Sequence, residues 1–192
     1  MFGNGRQRRM LRRAARFAAV PAPFLQDLSR ANQLMAVGGY QQAAELFAQL
    51  ALQADKTGHP RKSANLYALA AQAAAEQPNR EQALAYGRAA LNGFTHMGML
   101  PRSAGFLAQI SLLLRKKGLE AEANLLQLEF GGQPLKTGLA PAVTEQPAQP
   151  RKALRLPPAC PQCGAPARSD EVEWIDEQSA ECAYCGGVIQ AA

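Results

Sequence analysis

The chain has 192 residues, of which 47% are hydrophobic and 6% aromatic, and a formal net charge of +6. This length allows one core, or one domain and a small module, and the composition is typical of a globular protein. It contains no apolar run of about 18 residues, which excludes a transmembrane helix. The basic N-terminus is followed by a short apolar stretch with two prolines, which favours the cytoplasm over import or export.

The charge is unevenly distributed along the chain. Residues 1–16 carry six arginines and no acidic residue, whereas residues 160–192 carry one arginine and six acidic residues. We interpret residues 1–21 as a basic arm. It is a solubilising terminus, a site for nucleic acid or an anionic membrane surface, or a segment that docks on the acidic C-terminal part. Four arginines would form one stripe if the arm were helical: Arg6, Arg9, Arg13 and Arg16.

Residues 22–130 contain a repeat with a period of 40 residues. Apolar residues in each unit follow the helical period, and a glycine or proline stands where a first helix must stop. The pattern predicts three helical hairpins, with helices at about 22–37, 40–54, 61–77, 80–95, 102–117 and 119–130. Small residues recur at the 40-residue spacing: Ala31, Ala71 and Ser111 in the first helices, and Ala43, Ala83 and Ala123 in the second.

These units resemble tetratricopeptide repeats. The resemblance rests on the small residues of the first helices and on a G-x-Y-x-x-A turn at Gly38, Tyr40 and Ala43, followed by Phe47. The period is longer than the family's usual value of about 34 residues, and a closing proline is missing. A divergent relative and a plain helical bundle both stay open. The resemblance implies a scaffold that binds peptides along a concave surface.

Residues 131–158 contain six prolines. Such a segment cannot form a helix or a central strand, and we interpret it as an extended linker. The part that follows is therefore expected to move relative to the helices. Three basic residues of the linker are either solvated or a docking site for an acidic surface: Arg151, Lys152 and Arg155.

All four cysteines lie in the last segment, residues 159–192. They form two pairs of equal spacing, Cys160-x-x-Cys163 and Cys182-x-x-Cys185. Two residues between thiols let both sulfurs of a pair point to one side of a tight turn. Two such turns can present four thiolates in a tetrahedron, which suits Zn²⁺. We predict one structural zinc ion bound by these four cysteines.

The residues between the pairs alternate as a strand does, and "ARSDEVEWI" and "SAECAYCGGVI" can pair as short antiparallel strands. Together with the cysteines and the glycines that follow them, this pattern resembles a zinc ribbon. About 33 residues cannot build an adequate core, so the metal is expected to supply much of the folding free energy. Trp174 is expected to pack against the cysteine turns.

The four cysteines have three other uses that compete with zinc. Disulfides are disfavoured because the chain has no convincing secretion signal. Iron takes the same four ligands and is not excluded by the sequence. A thioredoxin-like redox pair is disfavoured because neither pair opens a helix.

The sequence contains no catalytic motif. The two histidines, His59 and His96, fall in predicted loops, and a metal enclosed by four thiolates has no open position for a substrate. We therefore predict a mainly α protein with a small C-terminal β zinc ribbon. It would act as a non-enzymatic adaptor or scaffold for a protein partner. The alternative is a nucleic-acid-associated regulatory protein that uses the basic arm together with the ribbon.

Overall fold

A computed structural model of the chain describes residues 21–77, 80–132, 156–169, 172–175 and 178–191. The arginines of the basic arm and most of the predicted linker lie outside these ranges. Six helices make up most of the described part: α1 (Ala22–Ala36), α2 (Tyr40–Lys56), α3 (Pro60–Glu76), α4 (Arg80–His96), α5 (Leu100–Lys116) and α6 (Glu120–Phe130).

The mainly α prediction is confirmed, and the helices begin and end within two residues of the predicted positions. One kind of turn explains this regularity. Gly58 adopts a φ of 75° after α2, and the N–H of His59 donates to the carbonyl of Ala54 at 2.9 Å. This left-handed glycine turn is a common helix stop signal because glycine has no Cβ to clash. It recurs with positive φ at Gly38, Gly98 and Gly118.

Consecutive helices contact one another along the chain, and α3 and α4 also contact α5 and α6, respectively. Small residues allow these approaches. A Cβ atom added at Gly93 in α4 would lie only 2.8 Å from the Cβ of Ala64 in α3. The recurring small residues predicted for helix contacts are all buried: Ala31, Ala43, Ala71, Ala83, Ser111 and Ala123. The described helices contain no segment with the length and apolar character needed to cross a membrane.

Three short strands follow the helices: β1 (Glu173–Trp174), β2 (Ser179–Glu181) and β3 (Val188–Gln190). They form an antiparallel sheet in the order β1-β2-β3, with Ala180 opposite both Trp174 and Ile189. The predicted pairing of short antiparallel strands is confirmed. Trp174, which we expected to pack against the cysteine turns, is 40% exposed, and the buried large side chains of this part are those of Tyr184 and Ile189.

The cysteine module contacts the helices directly. Buried residues of the two parts form one continuous apolar cluster, which includes Phe24 and Leu28 of α1 and Tyr184 and Ile189 of the module. The structure thus contradicts the expectation of a module held apart from the helices and free to move. The boundaries of the basic arm and of the linker are not tested and stay predictions.

Candidate metal centre

The first cysteine pair lies in a tight turn closed by backbone hydrogen bonds. The N–H of Gly164 donates to the carbonyl of Cys160 at 2.8 Å, and the N–H of Cys160 donates to the carbonyl of Ala165 at 2.7 Å. Gly164 adopts a φ of 72°, a conformation that other residues rarely take. A bridge between Ala159 and Pro166 closes the base of this turn.

The second pair repeats the same construction 22 positions later. The N–H of Gly186 donates to the carbonyl of Cys182 at 2.9 Å, and the N–H of Cys182 donates to the carbonyl of Gly187 at 2.8 Å. Gly186 has a φ of 77°. We refer to residues 159–166 and 181–188 as the two knuckles. Because their backbones match, they present their thiols in the same way.

The knuckles bring all four Sγ atoms to within 4.8 Å of one another. The Sγ atoms of Cys160 and Cys185 are 3.8 Å apart, and those of Cys163 and Cys182 are 3.9 Å apart. A tetrahedral site with metal–sulfur bonds of about 2.3 Å requires sulfur–sulfur distances of about 3.8 Å. The cluster therefore fits one metal ion at its centre. The predicted grouping of Cys160, Cys163, Cys182 and Cys185 is present.

The four thiols are buried, with exposed fractions of 0–2%. Hydrogen bonds among the thiols lower the pKa of Cys160 and raise the pKa of Cys163, and burial adds to the increase at Cys163. Four negative charges on sulfur atoms this close together would repel one another strongly. A cation removes that obstacle, because it neutralises the thiolates as they lose their protons.

A backbone donor also faces the cluster. The N–H of Gly187 lies 3.3 Å from the Sγ of Cys185, where it stabilises a thiolate. Four thiolates without an additional carboxylate, imidazole or open position form a closed set, which suits a structural ion. Zinc and iron both accept this donor set.

Comparison with known proteins gives no match to a family model, to a curated protein or to a solved structure. The description of the site therefore depends on its geometry.

The histidines predicted to lie in loops are both exposed, although His96 is the last residue of α4.

Polar side chains of the helices bind the backbone of the knuckles, and the sequence did not identify them. The amide of Asn32 in α1 donates to the carbonyl of Cys163 at 2.9 Å. Two residues of α3 act in the same way: Asn65 donates to the carbonyl of Ala183 at 3.2 Å, and Lys62 to that of Cys185 at 3.5 Å. The last two acceptors lie in one knuckle and the first in the other.

A cleft of about 720 Å³ lies where α5 meets the module. Arg102 of α5 and Arg168 of the module both line it, and Phe106 and Leu112 contribute apolar surface. Arg102 is held in place from two sides. Its guanidinium donates to the side-chain oxygen of Asn65 at 3.4 Å, and its Cζ lies 5.5 Å from the centre of the Phe94 ring.

Proposed function

We propose that the chain is a non-enzymatic adaptor that holds one structural zinc ion through Cys160, Cys163, Cys182 and Cys185. In this proposal the C-terminal module is a zinc ribbon, and the helices are tetratricopeptide-like repeats that offer a surface to a protein partner. The observation that carries the proposal is the closed cluster of four buried thiols at tetrahedral spacing.

A structural role of the site favours zinc over iron. The module has few buried apolar side chains of its own, so a tightly bound ion must contribute folding free energy, on the order of 10 kcal/mol for structural zinc sites. Zinc has no redox chemistry and accepts a tetrahedron of thiolates without strain. A site enclosed by its own ligands supports a structural rather than a catalytic role.

The adaptor role is supported by the repeated construction of the helices. The first and third hairpins turn at a left-handed glycine, Gly38 and Gly118, and all three hairpins bury small residues at equivalent positions. Consecutive helices contact one another, as in solenoid repeats, and solenoids commonly bind proteins along one face. Exposed apolar side chains also suit contact with a partner. Leu112 in the cleft is 71% exposed and Leu128 on α6 is 81% exposed.

Metal content tests the first half of the proposal. Purified protein should contain about one zinc ion per chain by mass spectrometry, and the variants Cys163→Ser and Cys182→Ser should contain far less. The matched controls are Pro161→Ala in the first knuckle and Val188→Ala in the second, because both side chains are exposed and neither variant removes a thiol. Iron in the place of zinc would indicate electron transfer, and metal-free protein with oxidisable thiols would refute the site.

Binding between purified components tests the second half. A candidate partner, found by crosslinking in cells, should form a complex with the purified chain that calorimetry detects. The affinity should fall when Leu112 or Arg102 in the cleft is replaced by alanine, whereas Leu52→Ala on α2 should leave it unchanged. The adaptor proposal fails if no candidate binds the purified chain either with its metal or after the metal is removed.

A further inference from the structure

We propose that the knuckles act as an intramolecular ligand of the first helices of the hairpins. The metal ion then controls whether a partner can reach the helix surface that the knuckles cover. The inference rests on the proposed zinc site. We use the name first-helix face for the surface formed by Asn32 of α1, Lys62 and Asn65 of α3, and Arg102 of α5. All four residues belong to the first helix of a hairpin.

Three hydrogen bonds from this face to the module are made to the main chain. The acceptors are the carbonyls of Cys163, Ala183 and Cys185. Two of these belong to cysteines that would ligate the metal, and the third lies between two such cysteines. The positions of these oxygens are therefore set by the backbone conformation of the knuckles.

The conformation of the knuckles depends in turn on the metal. The strands of the module have two or three residues each, and a sheet of that size has little stability of its own. Without an ion, the knuckles lack the four metal–sulfur bonds that would join them to each other. Loss of the ion should therefore displace all three carbonyls at once and break their hydrogen bonds to the helices.

The donors of the first-helix face can be solvated once the module leaves. Asn65 is only 2% exposed beneath the module, yet its amide can bind water in the open state. Lys62 and Arg102 occupy equivalent positions of their hairpins, 40 residues apart, and carry charges that water solvates well. The buried apolar cluster that the two parts share, which includes Leu28 and Ile189, opposes release, so the module should leave only when the metal no longer holds the knuckles.

The covered face also defines what could replace the module. The side chains of Asn32, Lys62 and Asn65 donate hydrogen bonds to main-chain carbonyls, so an extended segment of a partner protein can use the same donors. The positive charges of Lys62 and Arg102 favour acidic side chains in that segment. The module would compete with it as a tethered ligand, at an effective concentration that the connecting chain sets.

Lysine footprinting tests this inference on the full chain. Lys62 is partly buried and contacts the second knuckle, whereas Lys56 of α2 is exposed and serves as an internal control. Acetylation of Lys62, followed by mass spectrometry, should be slow in the metal-loaded protein. After treatment with a chelator and a reductant it should rise toward the rate of Lys56, while circular dichroism retains the helical signal.

A variant that keeps the metal separates docking from metal binding. Asn32→Ala with Asn65→Ala should still hold one ion per chain, yet Lys62 should react at the fast rate. Asn124→Ala is the control, because this exposed residue of α6 contacts Arg115 of α5 and should leave the slow rate unchanged. If the double variant does not fold, Asn32→Ala alone should give a smaller acceleration.

The outcomes distinguish this inference from the proposed function. Absence of metal in the wild-type chain refutes the zinc site. With metal present, an unchanged Lys62 rate after chelation shows that the ion does not control the face. An unchanged rate in the metal-loaded double variant shows that these donors do not hold the module. Either of the last two results overturns the inference and leaves the zinc site intact.

Discussion

The side-chain amide of Asn32 joins the carbonyl of Leu28, one helical turn away, to the carbonyl of Cys163, 131 positions later in the chain. Both distances are 2.9 Å. One amide group thus donates to its own helix and to the backbone of a cysteine in the metal cluster. Long-range contacts of this kind are what make the helices and the module one folded unit.

We expect Asn32→Ala to lower the free energy of unfolding of the metal-loaded protein by about 1 kcal/mol, the usual net contribution of a hydrogen bond. Urea unfolding followed by circular dichroism measures this change. In the presence of a chelator the difference from the wild type should shrink, because the bond to Cys163 exists only when the knuckle is formed, whereas the bond to Leu28 lies within α1. A destabilisation of equal size with and without metal would show that Asn32 stabilises only its own helix.

The knuckle glycines give a second prediction. Gly164→Ala forces a side chain into a φ of 72°, although the nearest atom to the new Cβ, the Cβ of Asn32, is at an ordinary 3.7 Å. The cost is therefore conformational, about 1–2 kcal/mol, and it falls on the metal-bound state. Zinc affinity, measured by competition with a chelating dye, should decrease about 5- to 30-fold.

Gly98→Ala is the matched control for this prediction. Its φ of 70° is nearly the same and the space around it is open, but it lies between α4 and α5. It should lower the free energy of unfolding and leave the affinity for zinc unchanged. Equal losses of zinc affinity in both variants would mean that general destabilisation, and not the knuckle, explains the effect.

The features that the sequence predicted correctly are local ones. The glycine turns, the apolar period and the two cysteine pairs each lie within a few residues of one another, so their patterns can be read from one segment. The alternation around Trp174 predicted a strand, and the register places Trp174 on the same face as Ala180 and Ile189, which are buried. The alternation could not show that β1 is a two-residue strand at the edge of the sheet, where Trp174 is 40% exposed.

The docking of the module could not be predicted in this way. Asn32, Lys62 and Asn65 are single polar residues on helices, and such residues usually face solvent. Their acceptors are backbone carbonyls, which every residue has, so the sequence does not indicate which of them accepts a hydrogen bond. The pairs are also separated by 118 to 131 positions. A linker rich in proline predicted separation, but composition does not report contacts that form between the parts it connects.

Replacement of two helical glycines by alanine should change the stability of the protein in opposite directions. In Gly93→Ala the new Cβ would lie 2.8 Å from the Cβ of Ala64, so α3 and α4 would have to move apart. Overpacking of this kind costs about 1–3 kcal/mol, more than the gain in helix propensity.

Gly105→Ala on the exposed side of α5 meets no atom within 4 Å and should stabilise the protein by about 0.5–1 kcal/mol. Thermal unfolding of both variants measures the contrast, and stabilisation by Gly93→Ala would contradict the close approach of α3 and α4.

The ion pair between Arg88 of α4 and Glu129 of α6 should contribute little and should depend on pH. Its hydrogen bonds are 2.8 and 2.5 Å long, and the hydrogen bond from Arg88 lowers the pKa of Glu129. Because the folded-state pKa lies below the unfolded value, the stabilisation is present above the unfolded pKa of about 4.3 and is lost as the pH falls through the folded-state pKa. The size of this contribution follows from the exposure of the pair. The side chains are 41% and 38% exposed, so the coupling energy should not exceed about 1 kcal/mol. A double-mutant cycle with Arg88→Met and Glu129→Gln measures the coupling energy. A coupling energy that persists in acid or grows with added salt would show that the contact is not electrostatic.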